Sequence, residues 1–496
     1  MSKYDVIIIG SGLGGLECGT ILSKEGYNVC VLEKNELFGG CFQTYQRKGR
    51  LLDTGIHYIG SMNEGQVMHQ FFRYLGIIDK LKLRKLDENA FDRIYHKGRI
   101  YDYAMGYERF TNTLSEAFPH ETENLHQYAE ILKEVGNLIS VDNLKKGIIS
   151  NEGMKFFNTS AAEMIAQITP DPDLQSALAG SALLYGGLRN HSNFYEHAMI
   201  NNSYIQGAYR FIDGSMQVAT EMINTIRANG GTVLNNSEVT RIIVDNGRVQ
   251  GVEVNGTEQI EGDYVISNVH PQRTLALLDK NRCIKNAYIS RINSLENTYG
   301  IFTLYLVMKP DSYPYINRNL YLHGDSDVWY DKKAYMGQTT NCMISTQASS
   351  RSSNYANVIS ILTPMYIDEL SAWLNTRPEQ RGEEYRMFKK QKASQLLEFI
   401  KKHGIDFGDN IEAMYTTTPL SYRDFTGTHN GSAYGIIKDY KRPQIGFIST
   451  RTKLNNLFLT GQNMNVHGAL GVTLTSIITC SEFLGREYLA KKIGNA

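Results

Sequence analysis

The N-terminal segment constrains the fold most strongly. Tyr4 to Ile9 is a short run rich in β-branched residues, and it is followed at once by the glycine-rich turn Gly10 to Gly15. Leu16 to Glu25 has a helical pattern, and Val29 to Leu32 is a second short apolar run. A strand, a glycine turn, a helix and a strand within about 30 residues form the unit that binds dinucleotides. The sequence therefore predicts an α/β fold with a parallel sheet at its start.

The glycines of this turn have separate roles. Gly10 allows a tight turn, Gly12 lets the backbone approach a pyrophosphate, and Gly15 lets the helix pack on the sheet. The free N–H groups and the dipole at the helix N-terminus favour phosphate. Glu33 follows the second strand, where its carboxylate can accept both hydroxyls of an unphosphorylated ribose and would repel a 2′-phosphate. An NADP site is therefore disfavoured here.

Further glycines favour FAD over NAD. The pair Gly39-Gly40 follows Glu33 closely, and a longer cofactor with a ribityl chain needs such close approaches of backbone. Near the C-terminus, Gly461 and Gln462 precede a helix predicted from Gly468 to Gly485. Gln462 can hydrogen-bond a ribityl hydroxyl, and the helix N-terminus can stabilise negative charge on a reduced flavin ring. An ordinary buried strand–helix pair remains the alternative for this C-terminal segment.

Composition narrows the partners and the compartment. The chain has 496 residues and equal numbers of basic and acidic residues, 51 of each, so we expect no nucleic acid partner. Its six cysteines are scattered without metal-binding spacing, which indicates a reducing compartment. A strand pattern begins by Tyr4, and no apolar stretch reaches the roughly 20 residues of a membrane span. We therefore expect no signal peptide, and a cytoplasmic location.

Several motifs resemble one family of flavoenzymes. The specific segments run from Gly39 to Tyr45, Leu52 to Gly60, Phe194 to His197, Gly207 to Phe211 and Leu457 to Gln462. Together they closely resemble the retinol saturase group, the all-trans-retinol 13,14-reductases. That group belongs with the phytoene desaturases and carotenoid isomerases, and it shares the FAD fold of amine oxidases and GDP-dissociation inhibitors. The resemblance spans nearly the whole chain.

The resemblance implies a discontinuous architecture, α/β in class and α+β overall. Residues 1–75, 205–275 and 425–496 would form a Rossmann-like FAD-binding domain of the amine oxidase and GDP-dissociation inhibitor type. Residues 76–204 and 276–424 would form a second, substrate-binding domain of mixed sheet and helices. Interleaved Tyr, Phe and Met residues in that domain suit a long apolar pocket, and they suit an ordinary core equally well.

The resemblance also implies the cofactor contacts. The ADP and pyrophosphate end would be held by the glycine turn, by Glu33 and Lys34, by the second glycine pair and by the main chain of Val239, and the ribityl and ring end by the C-terminal segment. The full predicted set is Gly10, Gly12, Gly14, Gly15, Glu33, Lys34, Gly39, Gly40, Val239, Gly461, Gln462, Gly471 and Val472.

Three side chains would stand near the flavin if the motifs are placed correctly. His57, Tyr58 and His467 are the predicted catalytic residues, because transfer of a hydride to a polyene requires a proton donor at the neighbouring carbon. The alternatives are that His57 is a core residue fixing a turn and that His467 caps the last helix. Cys41 is either a flavin-linked or redox thiol or a small packed side chain.

The expected activity is an FAD-dependent oxidoreductase acting on a hydrophobic polyene or unsaturated lipid. Hydride exchange with flavin N5 would lead to saturation, desaturation or isomerisation. No second dinucleotide motif is present, so NAD(P)H would bind only transiently, or another protein or a quinone would exchange the electrons. Peripheral membrane contact is a hypothesis that follows from such a substrate. The rival hypotheses are an amine-oxidase-like enzyme for a small polar substrate and a non-catalytic lipid escort.

Overall fold

The computed structural model describes residues 3–141, 143, 151–279, 282–325, 327–332 and 336–496. The α-helices are α1 (Leu13–Lys24), α2 (Val67–Leu75), α3 (Tyr107–Ala117), α4 (Thr122–Leu138), α5 (Asn151–Phe157), α6 (Ala161–Ile168), α7 (Pro172–Ala179), α8 (Phe194–Gln206), α9 (Met216–Ala228), α10 (Pro271–Leu277), α11 (Asn286–Asn293), α12 (Gly382–Lys402), α13 (Pro419–Phe425), α14 (Pro443–Gly446), α15 (Gly468–Leu484) and α16 (Arg486–Gly494). The strands are β1 (Tyr4–Ile9), β2 (Val29–Leu32), β3 (Thr44–Arg47), β4 (Arg50–Asp53), β5 (Ile59–Gly60), β6 (Leu83–Lys85), β7 (Asp92–His96), β8 (Arg99–Tyr103), β9 (Ala208–Phe211), β10 (Thr232–Leu234), β11 (Val239–Asp245), β12 (Arg248–Val254), β13 (Glu258–Ser267), β14 (Gly300–Met308), β15 (Asn319–His323), β16 (Asn341–Thr346), β17 (Val358–Met365), β18 (Ile411–Thr417) and β19 (Leu457–Leu459).

The first sheet is built around the N-terminal strand. β1 lies between β2 and β13, β10 extends the sheet beyond β2, and all these neighbours are parallel. The second half of β13 also pairs in parallel with β19, while its first half continues into an antiparallel meander with β12 and β11. Val6 to Ile9 are buried because both faces of β1 are covered: Val6 and Ile8 lie in one apolar cluster, and Ile7 and Ile9 lie in another, as the apolar run predicts. Helix α1 packs against α9 and α15.

The second sheet has the order β18-β14-β17-β16-β15-β7-β8. Its central strands β14, β16 and β17 are buried along their whole length. One face is covered by α12, whose Leu396 and Ile400 join the core that contains Phe302. The opposite face carries Ile301 and Leu362 toward the main core of the molecule.

Helices α3 to α8 fill the space beside this sheet. α8 is buried along almost its whole length and packs against α4. A three-stranded sheet, β5-β9-β6, and a hairpin, β3-β4, join this helical region to the first sheet. The strands of the two large sheets fall in the two predicted sets of segments, and the domain division itself stays a prediction.

The structure differs from the sequence predictions at some helix ends. α1 begins at Leu13 rather than Leu16, because the helix starts inside the glycine turn. The helix predicted from Gly468 to Gly485 is not the last helix of the chain. Gly485 adopts a φ of 84°, which ends α15, and α16 follows directly. Of the loop predicted from Val141 to Gly153, residues 142 and 144–150 lie outside the described residues, and α5 occupies its end. Among the described residues, none of the helices combines the length and apolar character needed to cross a bilayer.

Candidate functional site

A cavity of about 480 Å³ runs along the carboxyl edge of the first sheet. Ligands bind at this edge in open α/β sheets because the loops and helix N-termini meet there. One end of the cavity is formed by Glu33, Lys34 and Val239, and the other end reaches Ile301 and Leu362 of the second sheet. The cavity is therefore long, and it joins the two large sheets.

The glycine turn forms the middle of the cavity wall. Gly10, Gly12 and Gly14 line it, and within the described chain no side chain caps the first turn of α1 at Gly12. A Cβ at Gly15 would overlap the carbonyl oxygen of Gly10, so only glycine lets the helix start this close to the turn. The first-turn N–H groups are thus left for an anion, and the helix dipole favours one.

Glu33 is held in place by donors from the same turn. Its Oε2 accepts the Ser11 N–H at 3.0 Å and the Ser11 hydroxyl at 2.7 Å, and its Oε1 accepts the Asn35 N–H at 3.0 Å. A carboxylate has about four acceptor positions, so this arrangement fixes the group and leaves capacity for ribose hydroxyls. Glu33 is buried and lines the cavity.

The second glycine pair touches the first. The Gly39 N–H donates to the main-chain oxygen of Ser11 at 3.2 Å, and Gly40 lines the cavity next to Cys41. Burial raises the pKa of Cys41 to about 11, so its side chain is a neutral thiol at neutral pH. This favours the packed-thiol interpretation of Cys41.

Asn268 is a site residue that the sequence analysis missed. It follows β13 at the carboxyl edge and lines the cavity, with its side chain against Gly12, Gly14 and Gly461. Gly461 has a φ of 94°, and a Cβ there would meet the Asn268 amide. A polar residue directly after a buried parallel strand is the pattern that would have identified Asn268.

The C-terminal segment forms the next part of the wall. Gly461, Gln462 and Val472 line the cavity, together with the first residues of α15. Gly471 lies behind them, where a Cβ would press on the backbone of Val466. This segment therefore presents a helix N-terminus and an amide side chain to the cavity.

The far end of the cavity is apolar and aromatic. Ile56, Ile301 and Leu362 line it with Tyr422 and Tyr434. The Tyr422 hydroxyl donates to the Thr54 carbonyl at 3.0 Å, and the Tyr434 hydroxyl donates to the Leu183 carbonyl at 2.7 Å. Burial raises the pKa of both tyrosines, so both are neutral and offer ring surface to the cavity.

The fold and the wall of this cavity agree with a family match. Residues 13–337 match the model of the family described as flavin-containing amine oxidoreductase. The chain belongs to this family. It is a flavin-dependent oxidoreductase, and the fold is the FAD-binding fold of amine oxidases, as the resemblance implied.

Individual proteins similar to this chain cover nearly all of it. The all-trans-retinol 13,14-reductase of Rattus norvegicus is 26% identical, over 98% of this chain and 86% of the rat protein. Prolycopene isomerase 1 of an Oncidium hybrid cultivar is 21% identical, over 93% of this chain and 80% of the plant protein. Among solved structures, an oxidoreductase from Methanosarcina mazei superposes with a TM-score of 0.63 at 18% identity, covering 96% of this chain and 100% of that one. The resemblance to the retinol saturase group is therefore confirmed.

The residues present fit FAD. The uncapped N-terminus of α1 lies at the glycine turn, the oriented Glu33 lies at one end of the cavity, and Gln462 with the α15 N-terminus lies toward the other. These are donors for a pyrophosphate, an acceptor for a ribose and an amide for a ribityl chain. Of the other predicted contacts, Lys34 and Val239 line the Glu33 end.

The three predicted catalytic side chains lie behind the cavity wall. The Tyr58 hydroxyl donates to Asp92 Oδ2 at 2.9 Å and lies 2.6 Å from the Tyr321 hydroxyl. His467 Nδ1 lies 3.0 Å from Glu196 Oε1. His467 occupies the N-cap position of α15, but within the described residues its side chain makes no capping hydrogen bond there.

His57 lines a small cavity separate from the main one. Burial, with a smaller effect from the Arg210 guanidinium, lowers the pKa of His57 to about 4, so the imidazole is neutral at neutral pH. The catalytic roles of all three side chains stay predictions.

Proposed function

We propose that this chain is an FAD-dependent oxidoreductase that exchanges hydride with a carbon–carbon bond of a hydrophobic polyene or unsaturated lipid. The observation that carries the proposal is the position of the carboxylates in the cavity wall. Among the described residues that line the cavity, the only carboxylates are Glu33 and Glu238, and both lie at the Val239 end. A small cationic amine would find no counter-ion beside the apolar end, whereas a conjugated chain would find ring and aliphatic surface there.

Each part of the wall has a role in this proposal. The α1 N-terminus and Glu33 hold the ADP moiety, and the C-terminal segment orients the ring against the apolar end. Bound flavin supplies hydride exchange at N5. Ile301, Leu362 and the two tyrosines orient the substrate chain and exclude water. The segments of the first sheet thus form the cofactor domain and those of the second sheet the substrate domain. The similarity to the rat retinol reductase and to the plant prolycopene isomerase supports a polyene substrate.

An absorbance spectrum and two anaerobic titrations test this proposal. The purified protein should carry bound FAD, and NADH or NADPH should bleach the flavin bands if a nicotinamide is the donor. Protein reduced with dithionite is then mixed with all-trans-retinol or with a carotenoid, and oxidised protein with putrescine. We expect the flavin to respond to a polyene and not to putrescine. The reverse result would favour the amine-oxidase hypothesis, and a protein unable to take up FAD would overturn the enzymatic function.

We further propose that the protein contacts membranes peripherally, because its substrate partitions into a bilayer. Flotation with liposomes tests this proposal directly. Co-flotation of a fraction of the protein is the expected result, and complete exclusion from the lipid fraction would contradict it.

A further inference from the structure

Three cavities lie in a row between β4 and β17. The outer cavity, of about 190 Å³, is lined by Leu51 and Val358, and the middle cavity, of about 10 Å³, is lined by Asp53 and Ser360. The main cavity follows at Gly55 and Leu362. Val358, Ser360 and Leu362 alternate along β17, and Leu51 and Asp53 alternate along β4, so each set lies on one face of its strand at a spacing of roughly 7 Å. Gly55 follows two residues after the end of β4. The row therefore runs from the outer cavity to the apolar end of the flavin cavity.

The outer cavity opens at the surface of the protein. Leu51 is 39% exposed, and Gly49 and Arg351 on the rim are exposed as well. The outer and middle cavities share Gln347 and Ala348 in their walls. The middle and main cavities are lined by consecutive residues, His57 and Ile56. Solvent therefore reaches the first member of the row, and shared or consecutive residues separate it from the next two.

The middle cavity has the size and the polarity of a site for one water molecule. A polar cavity of this volume holds about one water. His57, Arg210 and Gln347 line it, and each has a buried polar atom without a hydrogen-bond partner among the described residues: His57 Nε2, Arg210 Nε and Gln347 Oε1. One water can accept from Arg210, donate to Gln347 and form its third bond with the imidazole.

Neighbouring bonds fix the direction of two of these groups. The Gln347 Nε2 group donates to Asp53 Oδ2 at 2.8 Å, which leaves its Oε1 as an acceptor. The terminal nitrogens of Arg210 donate to the carbonyls of Ile316 and Arg318 at 2.7 and 2.8 Å, which leaves its Nε–H as a donor. An anion in the middle cavity would face Gln347 Oε1 and the Asp53 carboxylate, so water fits better than a halide or hydroxide.

We propose that the row of cavities is a proton inlet, in which a water held by His57, Arg210 and Gln347 relays protons between solvent and the apolar end of the main cavity. The proposal rests on the proposed function. Saturation of a C=C bond adds a hydride to one carbon, supplied by the reduced flavin, and a proton to the other, which must come from solvent. Desaturation releases the same proton outward. A neutral imidazole suits the relay because one nitrogen accepts a proton while the other donates one.

A crystal structure of the FAD-loaded protein tests the water site without any substrate. We expect density for one water within hydrogen-bond distance of His57 Nε2, Arg210 Nε and Gln347 Oε1. In the Ser360→Val variant the added methyl groups should displace this water. Thr363→Val is the matched control, since Thr363 lies on the opposite face of β17 and its hydroxyl bonds the Asn341 carbonyl. An empty middle cavity in the wild-type protein would overturn the inlet.

The second measurement concerns the proton step alone. Each variant is reduced with dithionite and its re-oxidation by all-trans-retinol is followed in H₂O and D₂O. We expect Ser360→Val and His57→Leu to slow re-oxidation by roughly 10- to 100-fold and to enlarge the solvent isotope effect, with flavin content unchanged. Thr363→Val should match wild type.

The outcomes separate this proposal from the proposed function. Equal re-oxidation rates in Ser360→Val and wild type, with the water displaced, would overturn the inlet and leave the polyene activity standing. A wild-type protein that holds the water but reacts with no polyene would overturn the proposed function and, with it, the inlet.

Discussion

Glu17 is a carboxyl group at the contact between α1 and α15, and it forms no ion pair among the residues that the structure describes. It is fully buried and accepts the Thr473 hydroxyl at 2.6 Å. Burial raises the pKa of Glu17 to about 8. Between its ordinary pKa and pH 8, the folded chain therefore holds a proton that the unfolded chain has lost, and this site makes the free energy of unfolding decrease as pH rises.

Replacing Glu17 with Gln should remove that pH dependence. We expect the stability of E17Q relative to wild type to increase from pH 5 to pH 8, by up to about 1.4 kcal/mol per pH unit, and to level off above pH 8. Urea unfolding at pH 5, 7 and 9 measures this difference. E36Q is the control, since Glu36 is exposed and should show no such trend. Parallel pH profiles of E17Q and wild type would contradict the assignment.

Glu33 is expected to control FAD affinity. In E33Q the side-chain NH₂ group would face the donors of Ser11 or of Asn35, depending on the orientation of the amide. In either orientation the negative charge that faces the ribose hydroxyls is lost. Because hydrogen bonds to a charged group contribute about 1.5–3 kcal/mol, the Kd for FAD should rise about tenfold or more. Calorimetric titration of apoprotein gives the Kd. The exposed E36Q again serves as control, and an unchanged Kd in E33Q would show that Glu33 does not bind the cofactor.

At this scale, the sequence is informative where the contacts are local. The glycine turn and Glu33 could be predicted because their spacing is fixed by one strand–turn–helix–strand unit. Asn268 has only the weaker signal of a polar residue after a strand, since its contact with Gly12 and Gly461 depends on β13 pairing with β1 from far along the chain. The same holds for the middle cavity, whose Arg210 and Gln347 come from distant segments.

At the scale of elements, the start of α1 is a close contact of backbone. Gly15 has no room for a side chain beside Gly10. G15A should therefore force α1 away from the turn, lower the free energy of unfolding by about 1–3 kcal/mol and weaken FAD binding. Unfolding and flavin content measure both effects.

Gly26 offers the matched control for this prediction. It lies in the same unit at a φ of 89°, with open space where a Cβ would point. Asn tolerates this left-handed conformation, so G26N should cost about 1 kcal/mol or less and bind FAD normally. If G15A and G26N lost equal stability and equal FAD binding, the effect would come from the loss of a glycine and not from the close contact at Gly15.

The positions of several helices and strands could be predicted from the periodicity of the sequence. The pairing of the strands in the sheets could not. The strands β1 and β2 and the helices α1 and α15 were predicted from local pattern and turn residues. The order of the second sheet was not, because β7 and β8 join it from a segment some 200 residues before β15. Long-range register of this kind leaves no periodic pattern in the sequence.

At the scale of the molecule, three separated segments meet at the main cavity. FAD at about 100 times its Kd should stabilise the fold by about 2.7 kcal/mol. Hydrogen exchange should therefore slow on FAD addition in residues 10–15, 237–239 and 461–472 together. Helix α12, on the opposite face of the second sheet, is the internal control and should gain less protection than these residues. Protection confined to residues 10–15 would contradict the shared cofactor site.

The position of β1 in the first sheet also has a consequence for synthesis. β1 is the first strand to be synthesised, but its neighbour β13 and the strand β19 beside β13 lie about 250 and 450 residues further along the chain. At about 5–20 residues per second, β19 emerges roughly 20–90 s after β1. During that time first β1 and then β13 has one unpaired edge on the ribosome-bound chain, a state prone to aggregation. We expect chains that stop before Leu457 to accumulate in the insoluble fraction and to depend on chaperones that hold nascent chains.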